Sequence, residues 1–204
     1  MFEKTNGIMT NIDDLDLNGT YTYADYMKWA FDETIEIIKG KVFRMSPAPN
    51  LRHQRVSLNL TGVLYNYFKK QQCNLFVAPF DVRLTPLKKD KNNKIYTVIQ
   101  PDLCVVCDDD KLDEHGCVGS PDLIIEILSP GNTRKEMKDK FEVYQENGVR
   151  EYWLVEPNDR AVFVYVLNEQ GKYIGLQPFT EEDIMTSAIF PELEINLEEV
   201  FAEK

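Results

Sequence analysis

The apolar residues of this chain fall into two spacings, and each change of spacing marks an element. After a polar stretch over residues 1–20, expected to be flexible, Thr22 stands as the cap of a short helix, TYADYMKWAFD, with Tyr26, Trp29 and Ala30 facing inward. The segment ETIEIIKGKVFRM predicts two strands joined by Lys39–Gly40, with Gly40 supplying a positive φ angle. Pro49 and Asn50 introduce a helix over LRHQRVSLNLTGVLYNYFKK, where Val56, Leu60, Val63, Leu64, Tyr67 and Phe68 keep helical spacing. His53 precedes Leu60 by seven residues and shares that inward stripe. LFVAPFDVRL and IYTVIQPDLCVVC predict strands on either side of TPLKKDKNNK, a basic loop with a solvated charge run.

A turn-rich stretch, DDDKLDEHGCVGS, leads into SPDLIIEILSP, an apolar run expected of a strand buried on both faces. Gly131–Asn132 ends it. Thr133 and Glu136 form a capping-box pattern, so a helix is predicted through TRKEMKDKFEVYQEN, stopping at Gly148 before the strand REYWLVEP. Strand, helix and strand with short joints make a βαβ unit with parallel strands. The tail, AVFVYVLNEQGKYIGLQPF and AIFPELEINLEEVF, predicts one more hairpin and a closing segment. These elements add up to a mixed α/β fold.

Composition narrows the class. In 204 residues, 43% hydrophobic and 28% charged content excludes disordered and fibrous chains and suits one domain, set at residues 21–204. No apolar run reaches the length of a membrane span, and the expected location is cytoplasmic. The net charge of −11 argues against broad, phosphate-driven nucleic-acid binding, although one cleft can still grip phosphate through a metal. Cys104 and Cys107 have zinc-like spacing but fall within a strand rather than on a turn, so Cys73, Cys104, Cys107 and Cys117 are read as reduced, partly buried thiols.

Candidate chemistry lies in the acids that interrupt apolar strands. Glu126, within LIIEIL, is costly to bury unless paired, protonated or bound to a cation. Asp102 and Asp122 each follow a proline at a strand start; for Asp122 the preferred role is tying off a turn. Glu36 is a third acid among apolar neighbours. On the following helix, Met137, Phe141 and Tyr144 define the inward stripe, and Lys140 lies about 60° from its centre. It stands either as an ion-pair partner of Glu126 or as a catalytic cation beside it.

EIIKGKVFRMSPAP, the helix with His53, QPDLCVVC and GSPDLIIEILSPGNTRKEMKDKFEVYQENGVREYWLVEP together resemble the Uma-two restriction-endonuclease family, a branch of the PD-(D/E)XK nuclease superfamily. The resemblance runs from about Tyr21 to Phe201. It implies a restriction-endonuclease-like central mixed sheet flanked by helices, whose acids bind Mg²⁺ or Mn²⁺ for phosphodiester hydrolysis of DNA. On that resemblance Asp102, Glu126 and Glu36 are metal ligands, and Lys140 and His53 complete the catalytic set. Leu128 departs from the superfamily pattern, which places a lysine there; Lys140 is its implied replacement. Two further readings stay open: a degenerate nuclease fold that binds nucleic acid or a protein partner without cutting, and a phosphohydrolase of small nucleotides. A homodimer is open too. Asp102 and Glu126 can share a metal only if their strands are neighbours, with both acids on one face.

Overall fold

The computed structural model describes residues 8–45, 50–85, 94–130 and 134–203, with the backbone alone over 134–136. Residues 8–20, within the opening polar stretch, carry local structure. A 3-10 turn at Ile12–Asp14, capped by Asn11, sinks Ile12 and Leu15 against Ile35, with Tyr21, Tyr26, Trp29 and Phe31 packed around them. Apolar residues spaced three apart in an acidic stretch suffice to anchor it. Helix α1 (Tyr23–Tyr26) follows, the Asp25 carboxylate accepting from the N–H and hydroxyl of Thr22.

Strands β1 (Ile35–Ile38) and β2 (Lys41–Arg44) form the expected hairpin. Lys39 and Gly40 have φ of 51° and 80°, the paired positive values of a tight hairpin turn. Asn50 caps α2 (Leu51–Phe68) by accepting from the His53 N–H. Each of the next two apolar runs breaks into two strands. Ala78–Pro79 separates β3 (Asn74–Val77) from β4 (Val82–Leu84), and Gln100–Asp102 separates β5 (Thr97–Ile99) from β6 (Leu103–Val106). The halves join different sheets, a change of partner that hydrophobic patterning does not register. The basic loop falls almost wholly outside the described residues, as do Thr133 and the side chain of Glu136.

Short strands β7 (Leu112–Asp113) and β8 (Gly116–Val118) precede β9 (Leu123–Ile127), every residue of which is buried. Helix α3 (Arg134–Asn147) ends at Gly148, whose φ of 82° turns the chain into β10 (Glu151–Glu156), parallel to β9 as the βαβ pattern requires. The tail hairpin is β11 (Ala161–Leu167) with β12 (Tyr173–Gly175). Beyond it lie β13 (Phe179–Thr180), β14 (Ile184–Thr186), β15 (Glu194–Asn196) and α4 (Leu197–Phe201).

The sheet that matters runs β12-β11-β10-β9-β6-β3 and is mixed, β9–β10 being its parallel pair. Alternate residues of its strands feed opposite cores. Leu103, Val105, Leu123, Ile125, Ile127 and Trp153 pack on Val56, Leu60, Leu64 and Phe68 of α2. Cys104, Val106, Ile124, Tyr152 and Leu154 pack on Val143 and Tyr144 of α3. A second sheet, β2-β1-β5-β4-β8-β7, carries Glu36.

The cysteine reading needs one correction. Cys73 and Cys107 form a disulfide at the end of the β3–β6 pair, whereas Cys104 and Cys117 are free and buried. Register places the bonded pair opposite each other across two strands far apart in sequence, which spacing alone does not reveal.

Candidate active site

Strands β6 and β9 are antiparallel neighbours with Leu103 opposite Ile125, so continuing the register by one residue sets Asp102 opposite Glu126. Parity puts both on the face of Cys104 and Ile124. Glu126 is buried on β9, and the Lys140 ammonium of α3 lies 3.1 Å from its Oε1. The same ammonium is 3.0 Å from Oε1 of Glu36, which in turn accepts from the Gln100 N–H at 3.0 Å. Tyr144, one helical turn beyond Lys140, donates its hydroxyl to Glu126 Oε1. Lys140 therefore bridges two sheets through two buried carboxylates.

Asp102 sits at the rim of this cluster. Its Oδ2 accepts from the Ile127 N–H at 2.7 Å, and its Oδ1 is 3.3 Å from Nε2 of His53. His53 is buried on the first turn of α2, and its Nδ1 has no hydrogen-bond partner among the described residues. Asp122 is occupied elsewhere: one oxygen accepts from the Cys107 N–H at 2.9 Å, the other meets Arg150 at 3.1 Å.

The electrostatics follow from burial. Desolvation pushes the Glu126 carboxyl up to about 7; the charges of Asp102 and Glu36 push the same way, against the pull of Lys140. Burial alone would lower the Lys140 ammonium, but Glu126 and Glu36 overcome it and hold its pKa above the usual lysine value. The cation is thus protonated at neutral pH. Tyr144 is raised by burial and by Glu126, so it stays a hydroxyl donor.

All five residues singled out from sequence lie in this region: Lys140 joins Glu36 and Glu126, while Asp102 pairs with His53 and is tied to β9 through the Ile127 N–H. Two partners were missed. Tyr144 reads as a core aromatic, although its position four residues after Lys140 puts it on the same helical face. Gln100 precedes Pro101–Asp102 and acts through its backbone N–H, which carries no side-chain signature.

Whether these residues suit a metal turns on their oxygens. Among the described residues no three His, Cys, Asp or Glu side chains converge as a ready-made cage. Asp102 and Glu126 nevertheless offer hard oxygen donors from one face of adjacent strands, the donor chemistry that Mg²⁺ or Mn²⁺ takes. Glu36 is engaged by Lys140 and Gln100.

A family model, Uma2, described as "Putative restriction endonuclease", matches residues 23–198. The chain belongs to the Uma2 family. It is 23% identical over 155 residues to an uncharacterized protein of Synechocystis, covering 74% of this chain and 77% of that one. Its fold is similar to that of a solved structure from Anabaena variabilis, titled a putative nuclease belonging to DUF820. The TM-score is 0.68 at 21% identity, over 89% of this chain and 97% of the other. Uma2 membership supports a hydrolytic nuclease, and the solved structure shows the shared fold. No helix of the described residues is long and apolar enough to cross a membrane.

Proposed function

We propose that this chain is a metal-dependent endodeoxyribonuclease that hydrolyses phosphodiester bonds of DNA. The observation that carries the reading is the buried Lys140, held between Glu36 and Glu126 on the sheet face shared with Asp102. The superfamily pattern that the chain resembles places a lysine beside its acids, at the position where Leu128 stands, and Lys140 supplies the cation from α3. Asp102 and Glu126 would hold Mg²⁺ or Mn²⁺, which when bound supplies an activated water and offsets charge growing on the phosphate. Lys140, protonated and fixed by two carboxylates, orients the attacking water or steadies the negative charge of the transition state. His53, buried on the first turn of α2, holds the orientation of Asp102 through Nε2. Glu36 fixes Lys140 rather than completing a three-carboxylate cage.

Supercoiled plasmid incubated with the protein in Mg²⁺ or Mn²⁺ should be nicked or linearised, and Glu126→Gln should abolish this. Equal cleavage by Glu126→Gln would end the proposal. The degenerate reading draws on one observation, that both carboxylates already satisfy the Lys140 ammonium. It predicts binding of nucleic acid or a protein partner with no metal-stimulated cleavage.

A further inference from the structure

One cavity borders the candidate active site without belonging to it. It is about 390 Å³ and is lined by Tyr26, Trp29, Phe31, Glu33, Pro79 and Gln100, among others. Three of these are aromatic, and they form a continuous group: Trp29 stacks on Phe31 with centroids 5.4 Å apart and meets Tyr26 at 6.2 Å. The volume lies within the usual range for small-ligand pockets and exceeds what one nucleobase needs.

Two links tie this cavity to the catalytic cluster. Gln100 lies in its wall, and its backbone N–H bonds Glu36, the partner of Lys140. Pro79 is in the wall too, and its neighbour Ala78 donates its N–H to the backbone carbonyl of Asp102. The Gln100 side chain is itself anchored, donating to Asp81 at 2.8 Å and to the Tyr26 hydroxyl at 3.3 Å. A ligand held here would touch the same short segment, residues 100–102, that positions both acids.

We infer that this cavity receives one unstacked nucleobase of the nucleic-acid substrate, next to the phosphate to be cut; the inference rests on the nuclease reading above. Aromatic rings take up any base through its π-face, because every base has one. Glu33 on the rim argues for the base over the backbone: a carboxylate repels phosphate but accepts from the N–H groups of a base edge. The net charge of −11 points the same way, since it weakens the attraction for phosphate and leaves stacking as a source of affinity that does not depend on charge. A single-stranded or locally opened substrate supplies such a base at the lowest cost.

The chain has a built-in reporter. It contains two tryptophans; Trp153 is wholly buried in the core, and Trp29 is the one at the cavity. Full-length protein in EDTA, where cleavage is halted, should show saturable quenching of tryptophan emission by a twelve-nucleotide single-stranded oligothymidylate. An abasic oligonucleotide of the same length should leave the emission unchanged. Trp29→Phe should lose the signal, and Phe31→Ala should weaken binding in fluorescence anisotropy roughly 5- to 150-fold, the range for one stacked base. Unchanged wild-type emission, equal quenching by the abasic strand, or unaltered affinity of Phe31→Ala would each overturn the inference. The plasmid assay keeps this separate from the nuclease reading. Cleavage lost on Glu126→Gln together with silent Trp29 emission sinks the base pocket alone, and absent wild-type cleavage sinks the parent reading.

Discussion

An ammonium 3.0 and 3.1 Å from two buried carboxylates has exchanged its water for ion pairs, so its removal has two separable consequences. In Lys140→Met, Glu36 and Glu126 are left buried without their cation, a loss of about 3–5 kcal/mol when both are ionised. That loss should shrink at low pH, where Glu126 takes up a proton. Cleavage, measured well below the melting temperature, should fall at least about 100-fold at every pH. Retained cleavage would reduce Lys140 to an ion-pair partner. Glu126 itself predicts the pH response of the metal-free protein. Its folded value of about 7 lies above its ordinary value of 4.5, so the folded state binds the extra proton in that window. Its contribution to stability is therefore full below pH 4.5 and is lost as pH rises through 7. Melting temperatures in EDTA should decline across this interval, and Glu126→Gln should flatten the decline. Mn²⁺ affinity should move oppositely, rising with pH as the carboxylate ionises.

At the scale of elements, two Pro-Asp pairs open two neighbouring strands, and their surroundings assign them different work. Asp102 faces His53 and Glu126, whereas Asp122 is pinned by the Cys107 N–H and Arg150. Calorimetric titration with Mn²⁺ should show binding lost in Asp102→Asn and Glu126→Gln and kept in Asp122→Asn; the reverse pattern would mean that the wrong pair carries the metal. Much of this was legible beforehand. The β9–α3–β10 unit and the Lys39–Gly40 hairpin follow from local signals, a doubly buried strand and a turn with fixed φ requirements. Lys140 could be aimed at the sheet by helical geometry alone. The parts that were not legible depend on contacts between distant segments. LFVAPFDVRL is mostly apolar on both sides of Pro79, and only the sheets competing for it show that its halves take different partners. The Cys73–Cys107 bond requires knowing that β3 lies against β6.

Across the whole molecule, residues 8–20 are part of the packed body rather than a tail. Ile12 and Leu15 close a third apolar cluster, and Met9 bridges to Trp29. Burial of two such side chains is worth about 3–6 kcal/mol at most. Deleting residues 2–20 should lower the urea midpoint accordingly and raise the exposure of Trp29 to an aqueous quencher; an unchanged midpoint would return the segment to a passive role. A different constraint comes from β9, where Glu126 faces Lys140 and Ile125 and Ile127 belong to the α2 core. Consecutive positions thus answer to separate demands, and either face can vary in side chain without disturbing the other. Length is another matter. Losing or gaining one residue ahead of Glu126 within 123–127 would put the strand out of register with its neighbours on one side of the change, driving the carboxylate into hydrocarbon or isoleucines toward Lys140. Related chains can therefore be expected to tolerate many spellings of this strand but no insertion or deletion in it.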